Sequence, residues 1–202
     1  IERTVSRGFE ENLGQLDPRI GFAARSDAGA LFVTAAGAMF TWTRYSPKPV
    51  SPLVDSFTAY SPGLAPGFTP PKGGSQEFVG WRFLGMDVAS RLTGEAPLSS
   101  DVHRICGSAT QPAGTSARTF ERVRQTGVYP GVDAVHYEGA RGFEYDLIVH
   151  PGADPGQIAI AIDGASAVSI DATGALVLTT PSGDIRHQAP IAYQMRSGVR
   201  EP

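Results

Sequence analysis

Short apolar segments with a period of two residues run through the second half of the chain, and this pattern constrains the fold more than any other feature. Between Gly156 and Gln194 apolar and polar residues alternate, as in Ile158, Ile160 and Ile162. Successive side chains of a strand point to opposite faces, so the alternation predicts strands that bury one face. Glycine, proline, aspartate and serine separate the segments at close intervals, which is typical of antiparallel sandwiches and barrels. We therefore predict an all-β fold with antiparallel, sandwich-like sheets and little helix.

The expected domain organisation follows from the length of the chain and from one proline-rich segment. At 202 residues the chain is long enough for a single all-β domain over residues 1–202, and the alternative is two subdomains divided near residues 46–74. Seven prolines lie in that segment. Because proline removes a ladder donor and fixes φ, a central strand cannot pass here. We predict a long surface loop, held to the body by Phe57, Tyr60 and Phe68.

Composition and charge exclude some classes of partner. The chain has 41% hydrophobic and 18% charged residues, with a formal net charge of −3. A chain of this charge does not provide the basic surface that binds nucleic acids or anionic membranes, so neither is an expected partner. No run of about 20 apolar residues is present to insert into a membrane. The single cysteine, Cys106, cannot form an intrachain disulfide, and a buried thiol is its expected state.

Two similar phrases predict two similar hairpins. Each phrase consists of an apolar strand that ends at threonine, a turn that contains glycine, and a return strand. The first is GALFVTAAGAMFTW, from Gly29 to Trp42, and the second is GALVLTTPSGDI, from Gly174 to Ile185. Residues 9–19, by contrast, are polar and rich in turn residues. Near the other end of the chain, Ile191 to Tyr193 is the last predicted strand.

The central segment from Val132 to His150 predicts a third hairpin, with one polar face. We expect strands at 132–138 and 143–150, joined by the loop Gly139–Gly142 so that Glu138 pairs with Phe143. The pleat then assigns each side chain to a face. The predicted core face carries Val132, Ala134, His136, Phe143, Tyr145, Leu147 and Val149. The predicted water-facing side carries Asp133, Val135, Tyr137, Glu144, Asp146, Ile148 and His150.

The carboxylates of this hairpin are the candidate site. Asp133, Glu144 and Asp146 fall on one face and could hold Ca²⁺, or two of them could face each other across a sugar as in glycosidases. The alternative is an ordinary solvated charged face, with Arg141 nearby. No cofactor is expected if that alternative holds, and calcium is the candidate otherwise. No catalytic residue is assigned, because the sequence holds no motif with a strong catalytic mechanism.

Aromatic residues of the strands allow a second kind of binding site. Trp42, Tyr45 and Trp81 could form a platform on which sugars stack, although aromatic residues in strands more often belong to a core. His136 is expected to be a structural neighbour of Tyr145 across the strands. A catalytic base is the alternative for His136, and it would need a positioned partner.

Four short motifs carry a family resemblance. They are Phe-x-x-Asn-x-Gly-Gln at residues 9–15, Val-Tyr-Pro-Gly-Val-Asp at 128–133, Glu-Tyr-Asp at 144–146 and Pro-Gly-Ala-Asp-Pro at 151–155. In this order they resemble the N-terminal domain of large secreted bacterial proteins that carry SBBP-type β-propeller repeats. The chain departs from that pattern at residues 103–107, where the family usually has an aromatic-rich segment, and in its longer proline-rich stretch.

The resemblance implies a location and a role. It implies export to the extracellular space or the cell surface of a bacterium, as a non-catalytic structural or adhesive module N-terminal to a repeat array. A carbohydrate-active or other hydrolytic enzyme and a calcium-stabilised binding module are the alternatives. Relatives continue with further strands, so we expect a downstream segment of the same precursor, or another copy, to add a strand beside Ile191–Tyr193. A glycan is a further expected partner.

Overall fold

The computed structural model describes residues 8–26, 28–45, 74–87, 89–99, 102–104, 115–140, 142–196 and 199–201. Within these ranges almost all regular structure is strand, and one 3₁₀ turn spans Pro155–Gln157. The strands are β1 (Phe9–Glu11), β2 (Ile20–Ser26), β3 (Gly29–Thr34), β4 (Gly37–Tyr45), β5 (Gly74–Phe83), β6 (Arg91–Pro97), β7 (Val102–Arg104), β8 (Thr115–Ala117), β9 (Thr119–Tyr129), β10 (Val132–Gly139), β11 (Gly142–Val149), β12 (Ile160–Asp163), β13 (Ala167–Ile170), β14 (Leu176–Thr180), β15 (Gly183–His187), β16 (Gln194–Arg196) and β17 (Val199–Glu201). The predicted all-β, antiparallel fold class is confirmed.

One curled antiparallel sheet dominates the fold. In the described residues its strand order is β11-β10-β9-β1-β2-β3-β4-β5-β12, and β6 pairs with the other edge of β9. The sheet curls on itself, as a contact between distant strands shows. Trp81 of β5 stacks on Tyr145 of β11 with ring centroids 5.2 Å apart, although β5 and β11 are far apart in the strand order. The interior of this curl takes the place of the space between two sandwich sheets.

The two predicted similar hairpins are confirmed, and both use the same turn. Thr34 pairs with Gly37 in the β3–β4 hairpin, and Thr180 pairs with Gly183 in the β14–β15 hairpin, so each turn has two central residues. Each threonine hydroxyl donates to the carbonyl of the paired glycine, over 3.1 Å and 2.7 Å respectively. Both glycines have positive φ, at 149° and 120°, which a residue with a Cβ rarely adopts.

The core of the curled sheet lies on its inner face. One cluster gathers aromatic and branched side chains from β1, β2, β3, β4 and β9: Phe9, Phe22, Ala24, Leu31, Val33, Ala38, Phe120 and Val123. A second cluster joins β5, β9 and β10 through Phe83, Val128, Tyr129, Val132 and Ala134. Val79 and Phe83 of β5 are buried, and the neighbouring Arg82 and Leu84 are exposed.

The chain forms two compact units, Ile1–Asp163 and Gly164–Pro202. The strands that flank residues 46–74, β4 and β5, pair with each other within the first unit. The predictions for residues 46–73 and for Cys106 lie outside the described residues. The second unit contains the sheet β13-β14-β15 and the hairpin β16–β17.

The last predicted strand is wrong. Residues 191–193 belong to no strand in the described chain, and Ile191 is 85% exposed. The final hairpin instead pairs Gln194–Arg196 with Val199–Glu201. Cross-strand hydrogen bonds form this hairpin without the apolar alternation that strand prediction relies on.

No helix in the described ranges is long and apolar enough to span a membrane.

Candidate functional site

The central hairpin has the predicted register but not the predicted exposure. Glu138 pairs with Phe143 and His136 pairs with Tyr145, as expected. His136 has no exposed surface, in agreement with its assignment to the core face. The prediction that the opposite face is open to water is wrong at Asp133 and Val135, which are both buried. The long side chain of Arg124, which lies on the neighbouring strand directly opposite Val135, accounts for part of this cover.

A chain of ion pairs crosses this face and forms what we term the ionic ladder: Glu95 of β6, Arg122 and Arg124 of β9, Asp133 of β10 and His150. Glu95 accepts from both arginines, with a 3.0 Å contact to Arg122. Arg124 also contacts Asp133 over 3.3 Å, and the Nε2 atom of His150 lies 3.2 Å from the same carboxylate. The ladder therefore ties three adjacent strands together through alternating charges.

Hydrogen bonds set the charge state of the ladder. The bond from Arg124 is the main cause that lowers the pKa of Glu95, and the bond to Glu95 raises the pKa of Arg124 in turn. Burial acts to raise the pKa of Asp133, but the Gly127 N–H, His150 and Arg124 together outweigh it, so this pKa is lowered. Both acids are thus held ionised, which keeps the ladder intact near neutral pH.

Asp133 also has a backbone role. The pairing of β9 with β10 shifts register between Val132 and Ala134, because residues 126–128 of β9 form a bulge opposite Asp133. The Gly127 N–H donates to Asp133 Oδ1 over 2.8 Å, and Gly127 has a φ of 68°. Asp133 therefore satisfies a donor that the irregular pairing leaves without a ladder partner.

The three predicted metal ligands do not converge. Asp133 is engaged in the ionic ladder, and Asp146 accepts a 3.0 Å hydrogen bond from the Tyr137 hydroxyl. Glu144 is exposed opposite Tyr137. Burial, with Asp146 as the next cause, raises the pKa of Tyr137 to about 12, so this hydroxyl stays a donor. In the described part of the chain no three His, Cys, Asp or Glu side chains are grouped to hold a metal ion.

The two tryptophans of the predicted sugar platform pack against other aromatic rings. Trp81 lies on the inner face, where its ring stacks on Tyr145 and lies 6.3 Å from the ring of His136. Trp42 stacks on Phe40 with ring centroids 5.8 Å apart. The side chain of Tyr45 lies outside the described residues. The alternative given for these tryptophans, membership of aromatic packing, accounts for the contacts of both.

The motif at residues 9–15 builds a loop. The Asn12 amide nitrogen donates to the carbonyl oxygens of Asp17 over 2.9 Å and of Ile20 over 2.7 Å, with a longer contact to Leu16. Its Oδ1 accepts from the backbone N–H groups of Gly14 and Leu16. Nearby, Gln15 donates to Glu11 and to the buried Glu10. Asn12 therefore organises the connection between β1 and β2.

Sequence reasoning missed Glu95, Arg122 and Arg124, although one signal was present. In the run Arg122-Val123-Arg124-Gln125 the two arginines alternate with Val123 and Gln125, which are buried. This period of two places both guanidinium groups on one outer face. Their acidic partner Glu95 comes from a strand whose pairing with β9 nothing local indicates.

Truncating Asp133 tests the ladder. Asp133→Ala should lower the free energy of unfolding by about 2–3 kcal/mol, because Gly127 N–H and Arg124 each lose an acceptor in a half-buried setting. Asp133→Asn keeps an acceptor for the backbone and should have a smaller effect. The measurement is urea unfolding, with exposed Glu144→Gln as the control, expected within about 0.5 kcal/mol of wild type. Equal effects of Asp133→Ala and the control would contradict the assigned role.

Calcium should leave the thermal stability unchanged. A cation at Asp133 would have to displace Arg124 and His150 from the carboxylate, and Asp146 is already bonded to Tyr137. Melting curves in excess calcium and in excess chelator should therefore coincide. A calcium-dependent rise in Tm that disappears in Asp146→Asn would restore the metal site predicted from the sequence.

Comparison with known proteins gives a family and no nearer relative. A family described as "Domain of unknown function (DUF7948)" matches residues 9–202. No curated protein and no solved structure matches the chain. Since the match covers nearly all of the sequence, the chain belongs to the family of the DUF7948 domain.

Proposed function

We propose that this domain is a non-catalytic extracellular module, structural or adhesive, that lies N-terminal to a repeat array in a larger bacterial protein. The observation that carries the proposal is that residues of three of the four motifs stabilise the fold. Phe9 fills the core, Asn12 organises a loop, Asp133 bonds the bulge, and Asp154 caps the 3₁₀ turn through Gly156 N–H. Residues that define the resemblance thus maintain a fold, which is the role of a scaffold or presentation domain.

The ionic ladder supports the same proposal. Its acidic and basic side chains form ion pairs with each other. These charges therefore join strands and are not available to bind a substrate. A rigid, internally neutralised sheet suits a domain that positions neighbours or presents a surface. The extracellular location rests on the sequence resemblance alone.

Surface labelling and ligand screening together test this proposal. An antibody against the domain should label intact cells of the producing bacterium, and brief protease treatment of those cells should remove the label. On a glycan array, or against isolated envelope fractions, Asp133→Asn should bind as well as wild type, since the ladder is structural. Label found only after cell lysis would overturn the location.

A hydrolytic enzyme is the second candidate, and the contact between Asp133 and His150 favours it. A buried carboxylate that holds a half-exposed imidazole is the arrangement that orients a general base. We rank it second because Arg124 and Gly127 share the same carboxylate. A panel of ester, amide and glycoside substrates separates the candidates: turnover by wild type that is lost in a folded His150→Gln variant would establish an enzyme.

For the second unit we propose a partner by strand addition, either a downstream segment of the precursor or another copy. In the described chain β13 pairs only with β14, and Val168 and Ile170 on one face of β13 are exposed. An exposed apolar edge strand favours pairing with another strand. Wild type should associate with a longer precursor fragment or with itself in analytical ultracentrifugation, and Ile170→Lys should abolish this. Absence of both associations would contradict the proposal.

A further inference from the structure

Three polar side chains inside the curled sheet carry atoms without a hydrogen-bond partner among the described residues. They are the indole nitrogen of Trp81, the amide oxygen of Gln125 and both ring nitrogens of His136. Gln125 and His136 have no exposed surface at all. Buried polar atoms in folded proteins are nearly always bonded to protein or to ordered water, so such a group requires a partner.

These atoms belong to one region of the interior. Across the β9–β10 pair Gln125 lies opposite Ala134, and Val123 lies opposite His136, so Gln125 and His136 project from the same face as diagonal neighbours. The ring of Trp81 faces His136 from β5 at a centroid distance of 6.3 Å. Three strands therefore direct unpaired polar atoms into the same interior.

The orientation of the Gln125 amide is fixed by its other contacts. Its nitrogen donates to the carbonyl oxygen of Ala35 in the β3–β4 turn and to Ser90 Oγ, 3.1 Å away. Because a carbonyl oxygen only accepts, the nitrogen must be the atom that faces Ala35. The oxygen is consequently the atom left for another donor.

The hydrogen-bonding capacities of the set are complementary. The indole N–H only donates, the Gln125 oxygen only accepts, and a neutral imidazole provides one donor and one acceptor. Together they offer two donors and two acceptors. Water donates two hydrogen bonds and accepts two, and buried waters usually have about three polar partners.

We propose that the interior between β5, β9 and β10 holds a built hydration site, in which ordered water is bound by Trp81, His136 and Gln125. Water is the ligand class that these groups fit, because the described groups supply both donors and acceptors and the set carries no charge while the imidazole is neutral. The site connects the two halves of the curled sheet through hydrogen bonds that no pair of side chains makes directly. It is independent of the ionic ladder and of the proposed function.

Nuclear magnetic resonance of the 202-residue chain tests the site. The chain has two tryptophans, so a Trp42→Phe variant identifies the indole N–H signal of Trp81. We expect a cross-relaxation peak between that proton and a long-lived water. The peak should weaken in Gln125→Met, which keeps the length of the side chain, and should persist in Trp42→Phe.

A crystal structure at a resolution that shows ordered water gives the second readout, and it does not depend on any variant folding. We expect water within hydrogen-bonding distance of Trp81 Nε1 and of a ring nitrogen of His136. Two outcomes would overturn the proposal: an interior with no water beside these groups, or a direct hydrogen bond between Trp81, His136 and Gln125 that satisfies them. Absence of the water cross-peak in wild type would do so in solution.

Discussion

Replacing Phe9 by alanine should lower the free energy of unfolding by about 3–5 kcal/mol, the usual cost of truncating a fully buried phenylalanine. Phe9 has no exposed surface and meets the ring of Phe143 edge-on, with centroids 6.3 Å apart. It also pairs with Ala24 on one side and with Phe120 on the other. The cavity would therefore open where β1 joins β9 to β2, and neighbours held by the sheet cannot collapse into it.

Urea unfolding followed by far-UV circular dichroism measures this effect as a lower midpoint with an unchanged slope. The matched control is Leu13→Ala, four residues away and 51% exposed, which should stay within about 0.5 kcal/mol of wild type. If Phe9→Ala were as mild as this control, β1 would not belong to the core. A lowered slope would instead indicate that the variant changes the compactness of one of the two states.

The hairpins were predictable because their determinants are local. In the segment around Glu138 and Phe143, alternation defines the faces and a short glycine-bounded loop fixes the register, so a few adjacent residues carry all the information. The same holds for the threonine and glycine that close the two similar turns. The placement of His136 in the core followed from the pleat alone.

The features of the fold that the sequence did not predict depend on pairings between residues that are distant in the chain. β1 is only three residues long and its alternation is too short to detect, yet it pairs with β9 more than a hundred residues later. The ion pairs of Glu95 were not predicted for the same reason, because its arginine partners lie on the distant strand β9. Exposure of Asp133 was misjudged because the pleat says which way a side chain points and not what covers it.

The three carboxylates of the central hairpin show how local pattern and distant pairing each affect a candidate site. Asp133, Glu144 and Asp146 share a face, as alternation requires, but Asp133 and Asp146 are engaged by different neighbours. Arg124 and His150 contact the carboxylate of Asp133, and the hydroxyl of Tyr137 donates a hydrogen bond to Asp146. A shared face is thus a necessary condition for a site and not a sufficient one, because the partners of each side chain decide which of its atoms remain available to a ligand.

Acid should destabilise the protein through His136. Burial lowers the pKa of His136 to about 4 from its ordinary value of 6.5. The unfolded chain therefore binds a proton more readily than the folded one between those values, and stability falls as pH drops from about 6.5 to about 4. The full shift corresponds to about 3 kcal/mol, present above pH 6.5 and lost by pH 4. Tyr145 is the titratable group that faces His136 across β10 and β11, and burial raises its pKa, so it stays neutral throughout.

The variant His136→Phe isolates this contribution, because it keeps an aromatic ring among Trp81, Tyr145 and Val123 but cannot take up a proton. Unfolding free energies measured by urea at pH 7 and at pH 4.5 should fall by roughly 2 kcal/mol more for wild type than for the variant, since most of the proton linkage lies in that window. His187→Gln, at an exposed position, should follow wild type at both values. Carboxylates such as Asp133 contribute equally to all three proteins and cancel in the comparison. Parallel loss of stability in wild type and His136→Phe would mean that the protonated imidazole is as well solvated in the hydrated interior proposed above as in the unfolded chain, and burial would then not lower the pKa of His136.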